Sequence, residues 1–309
     1  MQIVHGHTHV PVNARGAVIA IGNFDGVHRG HRALLAQAVT RAKEMQRASG
    51  VMVFEPHPRE FFHPAEPLFH LTPLNRKLAI FEQLGLKLAF VENFDAHFAS
   101  LSAEEFIERV LVAGLGVAHV IIGYDFYFGH KRAGNPQMLV DAGAKLGFGV
   151  TVVAPVAEAG EVFSSSAVRV YLAQGDVKGA TQVLGEPWRV MGNIVGGARR
   201  GTGLGFPTAN VPMPKGTALA HGIYAVRAHV DGEVHNAAAY LGTRPTFDNG
   251  MPVLEVFLID FKGDLYGHHI DVEFIDFIRE DRKFDTAEAL VTQMDEDVKK
   301  IRDVLAGPA

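Results

Sequence analysis

Five short apolar runs, at 17–21, 51–54, 87–91, 118–122 and 149–153, alternate with helical patterns at 30–46, 73–84, 102–113 and 136–146. A strand that is apolar on both faces must be covered on both faces, and the intervening helices supply the cover. The alternation predicts an α/β domain built on a doubly wound parallel sheet. In such sheets ligands bind beyond the carboxyl ends of the strands. The residues following each apolar run are therefore read first for chemistry.

The run Ala17-Val18-Ile19-Ala20-Ile21 is broken by Gly22, Asn23, Asp25 and Gly26, which carry turn chemistry. Leu34, Leu35, Ala38 and Val39 then return at helical spacing, so a helix begins near His28 or Gly30. A strand, a glycine turn and a helix start together make an anion site, because the first helical N–H groups are unpaired and carry partial positive charge. His28 and His31, three apart, project from one side of that first turn. Three readings compete for the pair: surface histidines, a metal pair, or stabilisation of charge on a phosphorus under attack. The metal reading has neither a cysteine nor an intervening Glu to support it.

Later strand ends add to this. Phe54-Glu55-Pro56-His57-Pro58-Arg59 is a stiff two-proline loop that is also able to form an apolar wall for a flat ring. Gly123-Tyr124-Asp125-Phe126-Tyr127-Phe128-Gly129 offers four aromatics and a carboxylate, suited either to core packing or to stacking on a flat ring. Phe163-Ser164-Ser165-Ser166 precedes a helical run and suits an N-cap, which alone accounts for the serines, while Arg169 lies three residues into the helix, within reach of any phosphate at the helix mouth.

Gly185-Glu186-Pro187 reads as a linker, dividing the chain into 1–185 and 186–309. Beyond it, strand-like stretches at 188–195, 222–229, 234–240, 253–259 and 270–275, with turn residues between several of them, predict a small antiparallel β-barrel or sandwich. A C-terminal helix follows, with Leu290, Val291, Met294, Val298, Ile301 and Leu305 as its apolar stripe. Glu255 is the lone carboxylate of an apolar strand, Pro252–Ile259, and is either ion-paired or functional. The glycine-rich block Arg199–Asn210 contains no Walker-type Gly-Lys-Ser/Thr.

The chain has 309 residues, 48% hydrophobic and 20% charged, enough for two ordinary globular cores. Its net charge of −5 argues against a general nucleic-acid binder. With no cysteine there are no disulfides or thiolate sites, in keeping with a cytoplasmic protein. The N-terminal residues lack the apolar core of a signal peptide, and no apolar run reaches the roughly 20 residues of a membrane helix, so no membrane partner is expected.

Gly22-Asn23-Phe24-Asp25-Gly26-Val27-His28-Arg29-Gly30-His31 resembles the signature of the adenylyltransferase half of bifunctional bacterial riboflavin kinase/FAD synthetases. The segment from Ser164 to Arg169 resembles that family's ATP-phosphate motif, and Gly203-Leu204-Gly205-Phe206-Pro207-Thr208-Ala209-Asn210 resembles its kinase motif. The resemblance implies a nucleotidylyltransferase-like domain followed by a β-barrel kinase, with riboflavin, FMN, FAD and ATP as ligands and ATP as co-substrate with Mg²⁺. It implies catalytic roles for His28, His31, Arg169 and Glu255, the last as the base for the ribityl hydroxyl. Nucleotide contacts are implied for Gly22, Asn23, Phe24, Asp25, Gly26, Gly30, Ser164, Ser165, Ser166, Gly203, Gly205 and Pro207. Flavin contacts are implied for Phe54, Pro56, Pro58, Tyr124, Asp125, Phe126, Phe128, Arg279 and Phe284, and Mg²⁺ contacts for Thr208 and Asn210. The family pattern has Arg, Thr, Asn and His where this chain has Tyr127, Ser166, Tyr240 and Phe257. One rival follows from Tyr127 and Ser166, a kinase with a weakened adenylyltransferase; the other is a non-catalytic flavin-binding or regulatory protein that retains the fold.

Overall fold

The protein is described from a computed structural model, which covers all residues except 159, 197–205, 207, 214–215, 244–251, 264 and 308–309. The chain forms two compact units, 1–68 with 72–165, and 69–71 with 166–309.

The first unit holds a six-stranded parallel sheet ordered β1-β4-β3-β2-β5-β6. Its strands are β1 (Gln2–His5), β2 (Val18–Ile21), β3 (Ser49–Glu55), β4 (Leu88–Asn93), β5 (His119–Gly123) and β6 (Gly149–Val153). The five expected strands are present, and β1 is an addition. Its four residues are too short and too exposed to show a pattern, yet they pair with β4 from Gln2↔Leu88 to His5↔Val91.

Side-chain alternation along β2 explains why both faces need cover. Val18 and Ala20 pack with Leu34, Leu35 and Ala38 of α1 (Arg29–Glu44) and with Ile80 and Phe81, which lie on a helix spanning Leu74–Gln83. Ile19 and Ile21 pack on the opposite face with Phe106, Val110, Leu111 and Leu139. Each fully buried side chain of this size contributes about 1.5–3 kcal/mol. The expected helix at 102–113 opens with a capping box between Ser102 and Glu105, then winds as a π-helix over Phe106–Leu115 and ends at Gly116 in the left-handed region. The remaining expected helix is Pro136–Leu146, with Asn135 as N-cap and proline at its start.

The compact-unit boundary falls between Ser165 and Ser166, earlier than the expected linker at 185–187. The helix Val177–Leu184 packs against a barrel strand, Lys178 pairs with Asp276 at 2.6 Å, and Trp188 Nε1 donates to Leu71 O. These contacts draw residues 166–185 and the short stretch 69–71 into the second unit.

That second unit is an antiparallel six-stranded sheet curled into a nearly closed barrel. After a two-stranded hairpin of β7 (Ala157–Glu158) and β8 (Glu161–Val162), its strands are β9 (Arg189–Asn193), β10 (Ala209–Pro212), β11 (Gly222–Val230), β12 (Glu233–Thr243), β13 (Pro252–Leu258) and β14 (His269–Glu280). Their order is β10-β13-β12-β11-β14-β9. A bridge from Val195 N to Asn210 O, 2.9 Å, brings the two ends of that order together. The C-terminal helix, Ala287–Leu305, buries Ile301 and Leu305 against the barrel, and Asp297 is buried in the same stripe. Among the described residues no helix is long and apolar enough to cross a membrane.

Candidate functional sites

In the first unit the chain leaves β2 through a turn with Phe24, Gly26 and Val27 all at positive φ. A β-branched residue rarely adopts this geometry, and such conformations cost about 1–3 kcal/mol each, concentrating where function requires them. His28 then caps α1, its Nδ1 accepting from His31 N at 3.3 Å, which leaves Nε2 as the protonated nitrogen of the neutral ring. The two imidazoles stack with centroids 3.6 Å apart and planes 25° apart. Burial pushes His28 down to about 4, and burial, His28 and Lys77 push His31 well below the usual imidazole range. Both rings are therefore neutral near pH 7 in the free protein.

The expected nucleotide residues divide by role. Asn23 Oδ1 and His31 Nδ1 are buried without a hydrogen-bond partner. Gly30 admits the His28 ring, because a Cβ there would lie 3.1 Å from Nδ1 and 3.3 Å from Phe163 O. Gly22 and Gly26 belong to the turn itself. Asp25 is 3% exposed and accepts from Thr72 N at 3.1 Å, while its carbonyl accepts from Ser165 Oγ at 2.9 Å. Asp25 and Ser165 thus tie the turn to neighbouring chain. Phe24, expected to contact nucleotide, is buried edge-on against His31 and Phe81. Ser164, with a partner of its own, lies in this unit. Ser166 and Arg169 belong to the second unit, on the helix Ser165–Ala173, and Arg169 Nε donates to Phe69 O at 3.0 Å.

The expected flavin residues of the first unit lie at or just after the ends of β3 and β5, the two neighbours of β2 in the sheet, so all three loops rise from adjacent strand ends. Pro56 is exposed after a cis peptide bond, and Pro58 opens the short helix Pro58–Phe62. Tyr124 and Asp125 are exposed. Phe54 and Phe128, also expected to contact flavin, are both buried. They are ends of a ring relay, Phe54–Phe98–Phe106–Phe128, with centroid spacings of 5.7, 6.1 and 5.2 Å, and half-buried Phe126 stacks on Phe128. Arg132 lies over the Tyr127 ring at 5.1 Å.

In the barrel, Asn210 of β10 stands opposite Glu255 of β13, and Thr208 Oγ1 donates to Glu255 Oε2 at 3.2 Å. Asn210 is buried, whereas Glu255 is partly open. The row continues through Tyr240 and Ile223 to Arg279, because cross-strand partners share a face. Tyr240, where the family pattern has Asn, donates from its hydroxyl to Asp281 at 3.0 Å. Phe257, in place of the usual His, packs on Phe206 at 5.1 Å and joins the cluster under the C-terminal helix. Arg279, expected to contact flavin, clamps the C-terminal helix to β14. Its Nε and Nη2 grip Asp297 at 2.9 and 2.7 Å, and its guanidinium lies 5.9 Å from the Phe284 ring centre. Gly203, Gly205 and Pro207, expected to contact nucleotide, lie outside the described residues.

Comparison with known proteins now bears on these two sites. Residues 10–167 match the FAD synthetase family and residues 184–305 match the riboflavin kinase family. A bifunctional riboflavin kinase/FMN adenylyltransferase of Pseudomonas fluorescens is 41% identical over 100% of this chain and 99% of its own length. Its namesake in Escherichia coli K12 is 38% identical over 98% of this chain and 97% of its own. The chain belongs to the bifunctional riboflavin kinase/FMN adenylyltransferase family.

Its activity is therefore flavin cofactor synthesis, phosphorylation of riboflavin and adenylylation of FMN, and the main reading stands over both rivals. A solved structure titled macrolide-efflux protein from Streptococcus pneumoniae, 27% identical, superposes with a TM-score of 0.85 over 98% of this chain and 99% of its own. Against this family background, sequence reasoning passed over Lys77. It is 2% exposed, its Nζ 3.0 Å from Glu55 Oε1 and 3.4 Å from Asn23 O. The available signal was its position three and four residues before the buried Ile80 and Phe81, on the apolar face of its helix.

Proposed function

We propose that the two reactions are divided between two sites, adenylyl transfer at the His28–His31 turn and phosphoryl transfer at Thr208, Asn210 and Glu255. By function the chain divides into 1–185 and 186–309, with the enzyme cytoplasmic and without nucleic-acid or membrane partners. The observation that carries the kinase half is the hydrogen bond from Thr208 to Glu255 beside Asn210.

In the kinase reaction Glu255 takes the proton of the ribityl hydroxyl as its oxygen attacks the γ-phosphorus of ATP, giving FMN and ADP. The donor set fits Mg²⁺: the Thr208 hydroxyl donates a hydrogen bond to Glu255 and keeps oxygen lone pairs for the metal, and Asn210 supplies an amide oxygen. Mg²⁺ bound by Thr208 and Asn210 would neutralise phosphate charge. In the adenylylation reaction the FMN phosphate attacks the α-phosphorus of a second ATP in line, and pyrophosphate leaves. The neutral ring of His28 donates a hydrogen bond from Nε2, and the first turn of α1 adds its free N–H groups. Ser166 and Arg169 serve the ATP phosphates in this reading, and the loops bearing Phe54, Pro56, Pro58, Tyr124, Asp125 and Phe126 serve the flavin.

The test is chromatographic separation of flavins after incubation with ATP and Mg²⁺. Glu255→Gln is expected to stop FMN formation from riboflavin while FAD still forms from supplied FMN. His28→Ala is expected to do the reverse. Loss of both reactions in either folded variant overturns the division.

A further inference from the structure

Among the described residues Lys77 is the most deeply buried charged side chain. It reaches from its helix to two adjacent strand ends, pairing with Glu55, the last residue of β3, and touching the carbonyl of Asn23, just past the end of β2. A buried ion pair is a poor source of stability, since apolar side chains of similar volume usually do as well or better. Its location is what singles it out. The carbonyl it holds opens the strained turn through Phe24, Gly26 and Val27 that delivers the stacked histidines. Burial first, then His28 and then the Lys77 ammonium hold His31 well below the usual imidazole range.

We propose that Lys77, held by Glu55, is a positioning residue for adenylyl transfer: it fixes the Asn23 carbonyl, and with it the turn carrying His28 and His31, and sets a permanent positive charge behind the phosphate cradle. The ammonium acts through the turn, without touching substrate. A fixed cation in a site shielded from water favours the charge that develops on the phosphates without having to reorganise. Glu55 keeps the charge in place and prevents the lysine from leaving for solvent. The inference rests on adenylyl transfer occurring at the histidine turn.

The test uses the full chain with Lys77→Met, Lys77→Arg and the double variant Lys77→Met/Glu55→Gln, with His28→Gln alongside. FAD formation from FMN and ATP is measured as kcat and KM separately, riboflavin phosphorylation serves as a reference in the same preparations, and thermal melts report folding. Lys77→Met is expected to lower kcat for FAD by about tenfold or more, with KM changing less and the kinase rate unchanged. Lys77→Arg is expected to retain more of kcat than Lys77→Met. The double variant, which leaves no unpaired charge, is expected to melt like the parent and remain slow. A double variant that melts normally and forms FAD at the parent rate overturns the proposal, whatever the single variant does. His28→Gln separates the two readings. If it leaves FAD formation intact, the histidine-turn assignment itself fails, whereas if it abolishes FAD while the double variant stays fast, only the role of Lys77 fails.

Discussion

His28 and His31 lie face to face at the mouth of α1, ring centroids 3.6 Å apart, and both are neutral in the free protein. Two stacked imidazolium ions would repel, and burial already disfavours charge on either ring. In the proposed adenylyl transfer the pair therefore meets phosphate as hydrogen-bonding groups. A full positive charge becomes available only when a bound polyanion raises their basicity.

Stability should follow from the same burial. The folded pKa of His28 is depressed to about 4, below its unfolded value of 6.5. Between those values the unfolded chain binds more protons than the folded one, so stability is fully present above about 6.5 and is lost as pH falls toward 4. The loss is expected to be on the order of 3 kcal/mol. Urea unfolding followed by a probe in the first unit should show the midpoint falling from pH 7 to pH 5. His28→Gln should flatten that slope.

Gly30 should prove intolerant of even a methyl group. The added Cβ of Gly30→Ala would lie 3.1 Å from the His28 ring and 3.3 Å from the fixed carbonyl of Phe163, so the ring must give way. Helix propensity alone would make the substitution stabilising by roughly 0.5–1 kcal/mol. The expected result is a protein that melts no lower than the parent but forms FAD at least several-fold more slowly. An unchanged FAD rate would show that the His28–His31 stack is not needed.

The strand–helix alternation made the first sheet legible, because strands buried on both faces leave continuous apolar runs such as 17–21. Strand β1 escaped notice because an edge strand of four residues with one buried side chain carries almost no pattern. Strand β10 lay hidden inside a motif read for chemistry, Pro207-Thr208-Ala209-Asn210. The family resemblance singled out His28, His31, Thr208 and Glu255; in the structure His28 stacks on His31 and Thr208 donates to Glu255. The motif did not distinguish Phe24 and Phe128, which support the site from within, from residues that face it. The ion pair of Arg279 was not legible because its partner Asp297, 18 positions on, is a charged residue set in an apolar helical stripe. Lys77 remained invisible because a lysine on an amphipathic helix ordinarily faces water.

The Arg279–Asp297 clamp should bear on folding of the barrel. Both side chains are largely buried, at 14% and 7% exposure, and the pair fastens the C-terminal helix to β14. Asp297→Ala leaves the guanidinium without its bidentate partner, and breaking such a pair costs about 3–5 kcal/mol. Denaturant unfolding of the second unit should shift by an amount in that range. Replacing both residues with apolar ones, Arg279→Met with Asp297→Leu, should recover much of the loss.

Thr208 offers a way to separate metal binding from base catalysis. Its hydroxyl donates to Glu255 at 3.2 Å, so in the proposed kinase site the same oxygen would steady the base and offer lone pairs to Mg²⁺. Thr208→Ser keeps the hydroxyl and should leave the Mg²⁺ dependence of FMN formation within about twofold of the parent. Thr208→Val keeps the shape and removes the oxygen. It should lower kcat for riboflavin phosphorylation and raise the Mg²⁺ concentration for half-maximal rate by about tenfold or more, because a metal donor and the hydrogen bond to the base are lost together. FAD formation from FMN should be unaffected, since that reaction is assigned to the His28–His31 turn. A Thr208→Val enzyme with parental Mg²⁺ dependence and a lowered kcat would leave Thr208 as a partner of Glu255 alone and remove it from the metal site.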